Sequence, residues 1–230
     1  MYINVLVVSI IIFVMFLIIF RKFLSRNSSP VRHSLLFWSI GLLFGAVAAF
    51  SFYVFLISHN TIPFYIYYFL GGGLTPATLG LGSIYLQKKE KLRKIMLYST
   101  ITLAVILLIL LFFSSISREG LHQLIFYFKG YKENAAPNGS GVLKIGLWTI
   151  PLVILNTVGS IELIGVSLYY VYKAIRKKLY DNRFFGIFII GLSSLALASA
   201  STVARLFIAS LFWPSMLVGW LLFLIGVLLV

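Results

Sequence analysis

The chain has no cysteine, only three histidines and only five acidic residues among its 230 positions. Each scarcity removes a class of chemistry. Without cysteine there is no disulfide framework, thiolate metal site or sulfur nucleophile. The redox compartment therefore goes unmarked. His33, His59 and His122 lie in or next to the segments between apolar runs, so stacked haems held by paired histidines inside a bundle are not expected. The same placement argues against hydrolytic zinc and di-iron chemistry, which need His/carboxylate clusters. No serine shares an apolar run with a histidine, which leaves an intramembrane serine protease unsupported. Gly71-Gly72-Gly73 lacks the lysine and the strand context of a phosphate-cradling loop. The sequence thus predicts no enzyme, no cofactor and no metal.

What is abundant is apolar. Apolar side chains make up 61% of the chain, charged ones 10%, and the mean hydropathy is +1.05. A soluble domain of this length could not keep so much apolar surface from water. Aromatic residues at 17% suit a bilayer, where Tyr and Trp settle at the interfaces. The net charge of +14 could suggest nucleic acid, but the cations sit in short clusters between long apolar runs, so no nucleic-acid partner is expected.

Seven apolar runs, approximately 2–20, 34–57, 63–86, 95–116, 149–172, 184–209 and 212–230, are each long enough to cross a hydrocarbon core as a helix. The first is read as a retained span, because Arg21, Lys22 and Arg26 follow it and no basic segment precedes it. Fourteen of the nineteen Lys and Arg residues fall in segments 21–33, 87–94 and 173–183. The alternate segments 58–62, 117–148 and 210–211 hold only Arg118, Lys129, Lys132 and Lys144. Such asymmetry across short loops predicts the N-terminus outside and the C-terminus at the cytoplasmic face of a cell membrane. The expected fold is an all-α polytopic bundle of seven transmembrane helices forming one domain, residues 1–230, with no soluble appendage. Its basic loops suit anionic lipid headgroups.

Several stretches refine this picture. In the third run, Pro76 lacks the N–H that would reach the carbonyl of Gly72. Lipid cannot satisfy that carbonyl, so Thr75, Thr78, water or a neighbouring helix must. Gly71, Gly72, Gly73, Thr75 and Pro76 accordingly mark either a break that lines a cavity or a stretch of close helix packing. The fourth run is almost free of polar groups and should face lipid. In the external segment 117–148, residues 117–132 mix charge with Leu121, Leu124, Ile125, Phe126 and Phe128, as an interfacial amphipathic helix does. Asn138-Gly139-Ser140 reads as a turn or a glycosylation sequon. The sixth run is rich in Gly, Ala, Ser and Thr and should be the most buried.

Glu162 is the only acid inside an apolar run and Arg205 the only base. Charge at bilayer depth is costly, which makes both candidate functional residues. At 1.5 Å per residue Glu162 lies about 17 Å below the outer boundary and Arg205 about 6–10 Å below it. The axial gap of roughly 7–11 Å leaves three readings open. The two form a polar lock, with Asn156, Ser160, Ser201 or Thr202 as bridges; or Glu162 exchanges a proton during transport; or Glu162 is neutral and bonded to a backbone carbonyl.

A seven-span chain with an external N-terminus resembles microbial rhodopsins and G-protein-coupled receptors in helix count alone. The last run has no lysine for a retinal Schiff base, and the third has no carboxylate counter-ion. The receptor motifs, an acidic-Arg-Tyr triplet ending the third span and Asn-Pro-x-x-Tyr in the seventh, are absent too. The Gly/Pro-rich third run, Leu155-Asn156-Thr157-x-Gly159 in the fifth and the small-residue sixth run ending at Arg205 together resemble a group of uncharacterised prokaryotic seven-helix membrane proteins. That resemblance implies the helix count and brings no activity. Three function classes are therefore expected: a small transporter or channel, a non-catalytic membrane subunit or scaffold with protein partners, or a membrane sensor.

Overall fold

The computed structural model describes residues 2–26, 30–87, 89–128, 139, 141–178, 180–206 and 211–230, without side-chain detail at 30 and 201–206. In chain order it contains α1 (Tyr2–Ser25), α2 (Pro30–Ser58), α3 (Thr61–Ile66), a π-helical turn (Tyr67–Leu74), α4 (Thr75–Tyr85), α5 (Glu90–Phe112), α6 (Arg118–Phe128), α7 (Thr149–Lys177), α8 (Asn182–Leu206) and α9 (Phe212–Leu229). Among the described residues β pairing is confined to one antiparallel bridge, Ile116 with Leu143. Among the described residues six helices, α1, α2, α5, α7, α8 and α9, are long and apolar enough to cross a membrane. The chain is a helical, multi-pass membrane bundle. The third apolar run is continuous in the chain but divided into α3, the π turn and α4.

The helices overrun the apolar runs at their basic ends. α1 continues through Arg21 and Lys22, and α7 continues through Arg176 and Lys177. Lys and Arg are good helix formers, and cations suit a helix C-terminus. Lys178 then stops α7 in the left-handed conformation, φ 53°. Cations also tie neighbouring ends together. Lys22 Nζ donates to the Val227 and Leu228 carbonyls of α9 at 2.9 and 2.8 Å. The Arg93 guanidinium lies over the Tyr85 ring and donates to the Tyr85 and Gln87 carbonyls where α4 ends.

Packing follows small residues. α4 and α7 cross so closely that a Cβ on Gly80 would lie 2.6 Å from the Gly159 carbonyl oxygen, and one on Gly159 would strike the Pro76 carbonyl. A Cβ on Gly186 of α8 would lie 2.7 Å from the carbonyl oxygen of Gly226 of α9. α2 lies against α1, α3, the π turn and α4, placing Trp38, Phe52 and Phe55 in the core. α5 buries only Leu107 and Leu111, in keeping with a lipid-facing helix. The sixth run contradicts the packing expectation in part. Ser193, Ser194 and Ala200 of α8 are buried, but Leu192, Leu195, Ala198 and Ser199 are exposed.

The short α6 is amphipathic, as its sequence predicts, and turns Leu124, Tyr127 and Phe128 inward. Phe128 meets Tyr2 of α1 and the edge of Phe52 of α2, with ring centroids 5.7 and 5.8 Å apart. Gly139, at φ +74°, takes a turn conformation, and its carbonyl accepts from the Tyr68 hydroxyl at 3.1 Å. Asn138 and Ser140, the remainder of the sequon, lie outside the described residues.

Candidate functional site

The polar centre of the bundle is built on the π turn. In α4 the N–H of Thr75 reaches back five residues to the Leu70 carbonyl, and the Thr75 hydroxyl donates to the same oxygen at 2.8 Å. Pro76 follows with no N–H to offer. Gly72, four residues earlier, finds its donor on another helix: Asn156 Nδ2 of α7 lies 3.3 Å from the Gly72 oxygen. Thr78 Oγ1 donates to the Leu74 and Thr75 carbonyls at 2.7 and 3.0 Å. The break expected from the sequence is thus widened into a π turn and supported by Thr75, Thr78 and a neighbouring helix, as membrane backbone requires.

The three glycines of the turn face three different helices. A Cβ would meet Ala48 of α2 at Gly71 (3.0 Å), Leu152 of α7 at Gly72 (3.1 Å) and Leu107 of α5 at Gly73 (2.6 Å). Their lack of side chains lets α2, α7 and α5 close around one irregular turn.

Beside this turn lies a cavity with two lobes, of about 330 and 140 Å³. Gly71, Thr75 and Pro76 of the third run, Asn156 and Ser160 of α7, Ser194 and Ala198 of α8, and Met216 and Trp220 of α9 wall the smaller lobe. The larger lobe shares Gly71, Thr75, Asn156, Ala198 and Trp220, and adds Gly72, Tyr67, Trp213 and residues of α1 and α2. At the α6 end Tyr67 and Trp213 pack on Phe52, with centroids 4.6 and 5.6 Å away, so an aromatic layer borders the cavity there. No charged side chain is among the described lining residues.

The indole N–H groups of Trp213 and Trp220 are buried with no acceptor among the described residues. By contrast, Trp38 donates to the Leu79 carbonyl and Trp148 to that of Lys144. Unsatisfied buried donors are rare in folded proteins, and each calls for an explanation such as a bound water, ion or catalytic role.

Of the residues singled out from the sequence, Gly71, Gly72, Thr75, Pro76, Asn156 and Ser160 come together at this cavity. Gly73 lies behind it, facing α5. Glu162 is not in the lining. It is 7% exposed and packed at the α4–α7 crossing, where a Cβ on Gly80 would lie 2.5 Å from its Oε2. The Arg205 side chain, like those of Ser201 and Thr202, lies outside the described residues. The sequence reading passed over Tyr67, Ser194, Trp213 and Trp220. Their signals existed but fitted blander roles, interfacial aromatics for three and small-residue packing for the serine.

These features define a helical multi-pass membrane protein with a cavity beside an interrupted helix, uncharged among its described lining residues. The chain matches no protein-family model, no curated protein and no solved structure.

Proposed function

We propose that the protein is a small membrane carrier whose binding site is this cavity. In this reading α3, the π turn and α4 together form the third of seven spans. The α6 end faces outward and the basic end faces the cytoplasm, against anionic headgroups. The observation that carries the proposal is the joining of an irregular span to a cavity at its break, with Asn156 holding the freed carbonyl. Irregular backbone at membrane depth is tolerated where it borders a cavity or protein, and carriers place substrate there. The aromatic layer between the cavity and α6 would serve as the outer closure.

The absence of cysteine makes the test direct. Single cysteines at Ala198, in the cavity, and at Leu168, exposed on α7, are introduced into vesicle-reconstituted protein and exposed to a membrane-impermeant thiol reagent from one face at a time. Carriage requires the cavity position to react from both faces in turn, while Leu168→Cys stays unreactive in lipid. Reaction from neither face, or from one alone, retires the carrier reading. The subunit and sensor alternatives predict a cavity closed to at least one face.

A further inference from the structure

Resting on the reading of the cavity as a ligand site, we infer that its ligand is uncharged and amphipathic, a compact apolar body carrying a hydroxyl or amide. Among the described residues the polar lining is sparse and neutral. Asn156 commits one amide N–H to Gly72, leaving the second N–H and its oxygen for a ligand. Ser194 and Thr75 have donated their hydroxyl protons to the Ile190 and Leu70 carbonyls, which leaves their oxygens as acceptors. Ser160 lines the same lobe and can do either.

Groups of this kind reward a partner that both gives and takes a hydrogen bond. The described lining residues offer no counter-charge. An ion brought into a low-dielectric cavity loses its hydration, and neutral dipoles alone recover only part of it. The rest of the wall, with Leu79, Leu163, Met216 and Trp220 in the smaller lobe and Trp213 in the larger, suits an apolar body. Asn156 and Ala198 remain exposed on facing helices, so the lining between α7 and α8 is reachable.

Trp213 and Trp220 supply the readout, because bromine quenches indole fluorescence on contact. Protein in mild detergent is titrated with bromohexanol, bromohexanoate and bromohexylammonium, matched for micelle-bound mole fraction. Bromohexanol is expected to quench saturably, and the quench to disappear in the W213F/W220F double variant, which retains Trp38 and Trp148. Ser160→Ala should weaken the apparent affinity about fivefold, one neutral hydrogen bond's worth. Ala198→Leu, which narrows the cavity without removing a polar group, should abolish saturation even if the serine variant proves unstable. Stronger saturable quenching by the carboxylate or the ammonium overturns the inferred ligand class and leaves the cavity a ligand site. No saturable quenching by any of the three overturns both.

Discussion

The bond from Asn156 to Gly72 makes a quantitative prediction because its cause lies elsewhere, in Pro76. Asn156→Leu removes the amide at nearly constant volume and leaves the Gly72 carbonyl without its donor. A stranded buried carbonyl costs about 1–3 kcal/mol in mutational series, whereas hydrogen bonds between membrane helices average about 0.6 kcal/mol and reach about 1.7. The 3.3 Å separation and the exposure of Asn156 place this bond toward the low end, near 1 kcal/mol. In a Pro76→Ala background residue 76 regains an N–H four residues beyond Gly72, and that N–H can take the carbonyl in an α-helical register. Asn156→Leu should then cost little, giving a coupling of about 1 kcal/mol across the double-mutant cycle. The assay is reversible unfolding in mixed micelles of rising dodecyl sulfate fraction, followed by circular dichroism. Equal losses from Asn156→Leu in the two backgrounds would refute the account, because the asparagine's contribution would then be independent of the proline.

The α4–α7 crossing gives a second prediction. Gly80→Val and Gly159→Val push side chains against backbone atoms that cannot swing aside, and each should lower stability by about 1–3 kcal/mol. Gly165→Ala, with open space around its Cβ, should instead be neutral or stabilise by up to about 1 kcal/mol, and the same micelle titration separates the cases. A third concerns the two intramembrane charges. The polar-lock reading predicts that Glu162→Ala and Arg205→Ala destabilise non-additively in detergent thermal melts. Strictly additive losses would remove the lock and leave Glu162 as a proton site or a neutral, packed carboxyl.

Hydropathy and charge made the bundle legible because both are properties of whole segments. Apolar run length predicted the long helices; Lys and Arg prolonged several of them at their basic ends, and α5 stopped at Phe112, short of the run's end at 116. The amphipathic α6 was readable for the same reason, since its periodicity is local. The break in the third run was readable as a stereochemical necessity. Proline always frees a carbonyl, and lipid never takes it. The π form was not readable, because it depends on Thr75 reaching back to Leu70, and an α-helical register offers each N–H a nearer carbonyl. Nor was the place of Glu162. Its depth follows from position in the chain, but its direction depends on how α7 is rotated, and the Gly80–Gly159 contact settles that rotation. Depth alone had grouped Glu162 with Asn156 and Ser160. On the helix Asn156 and Ser160 face the cavity while Glu162 turns toward α4.

That rotation links the irregular turn to the rest of the bundle. Gly159 is seated so tightly on the Pro76 carbonyl that α7 cannot turn about its axis without separating from α4. One helical turn before Gly159 the same helix sends Asn156 to Gly72, and three residues after Gly159 it buries Glu162 beside Gly80. The proline-freed carbonyl, the cavity wall and the buried acid are therefore three consequences of one helix orientation. A movement of α7 large enough to reshape the cavity would break the bond to Gly72 and uncover Glu162 together. If the cavity opens alternately, the carboxyl away from its lining is the group whose surroundings change with it. That gives Glu162 a physical route to coupling without any contact with the ligand.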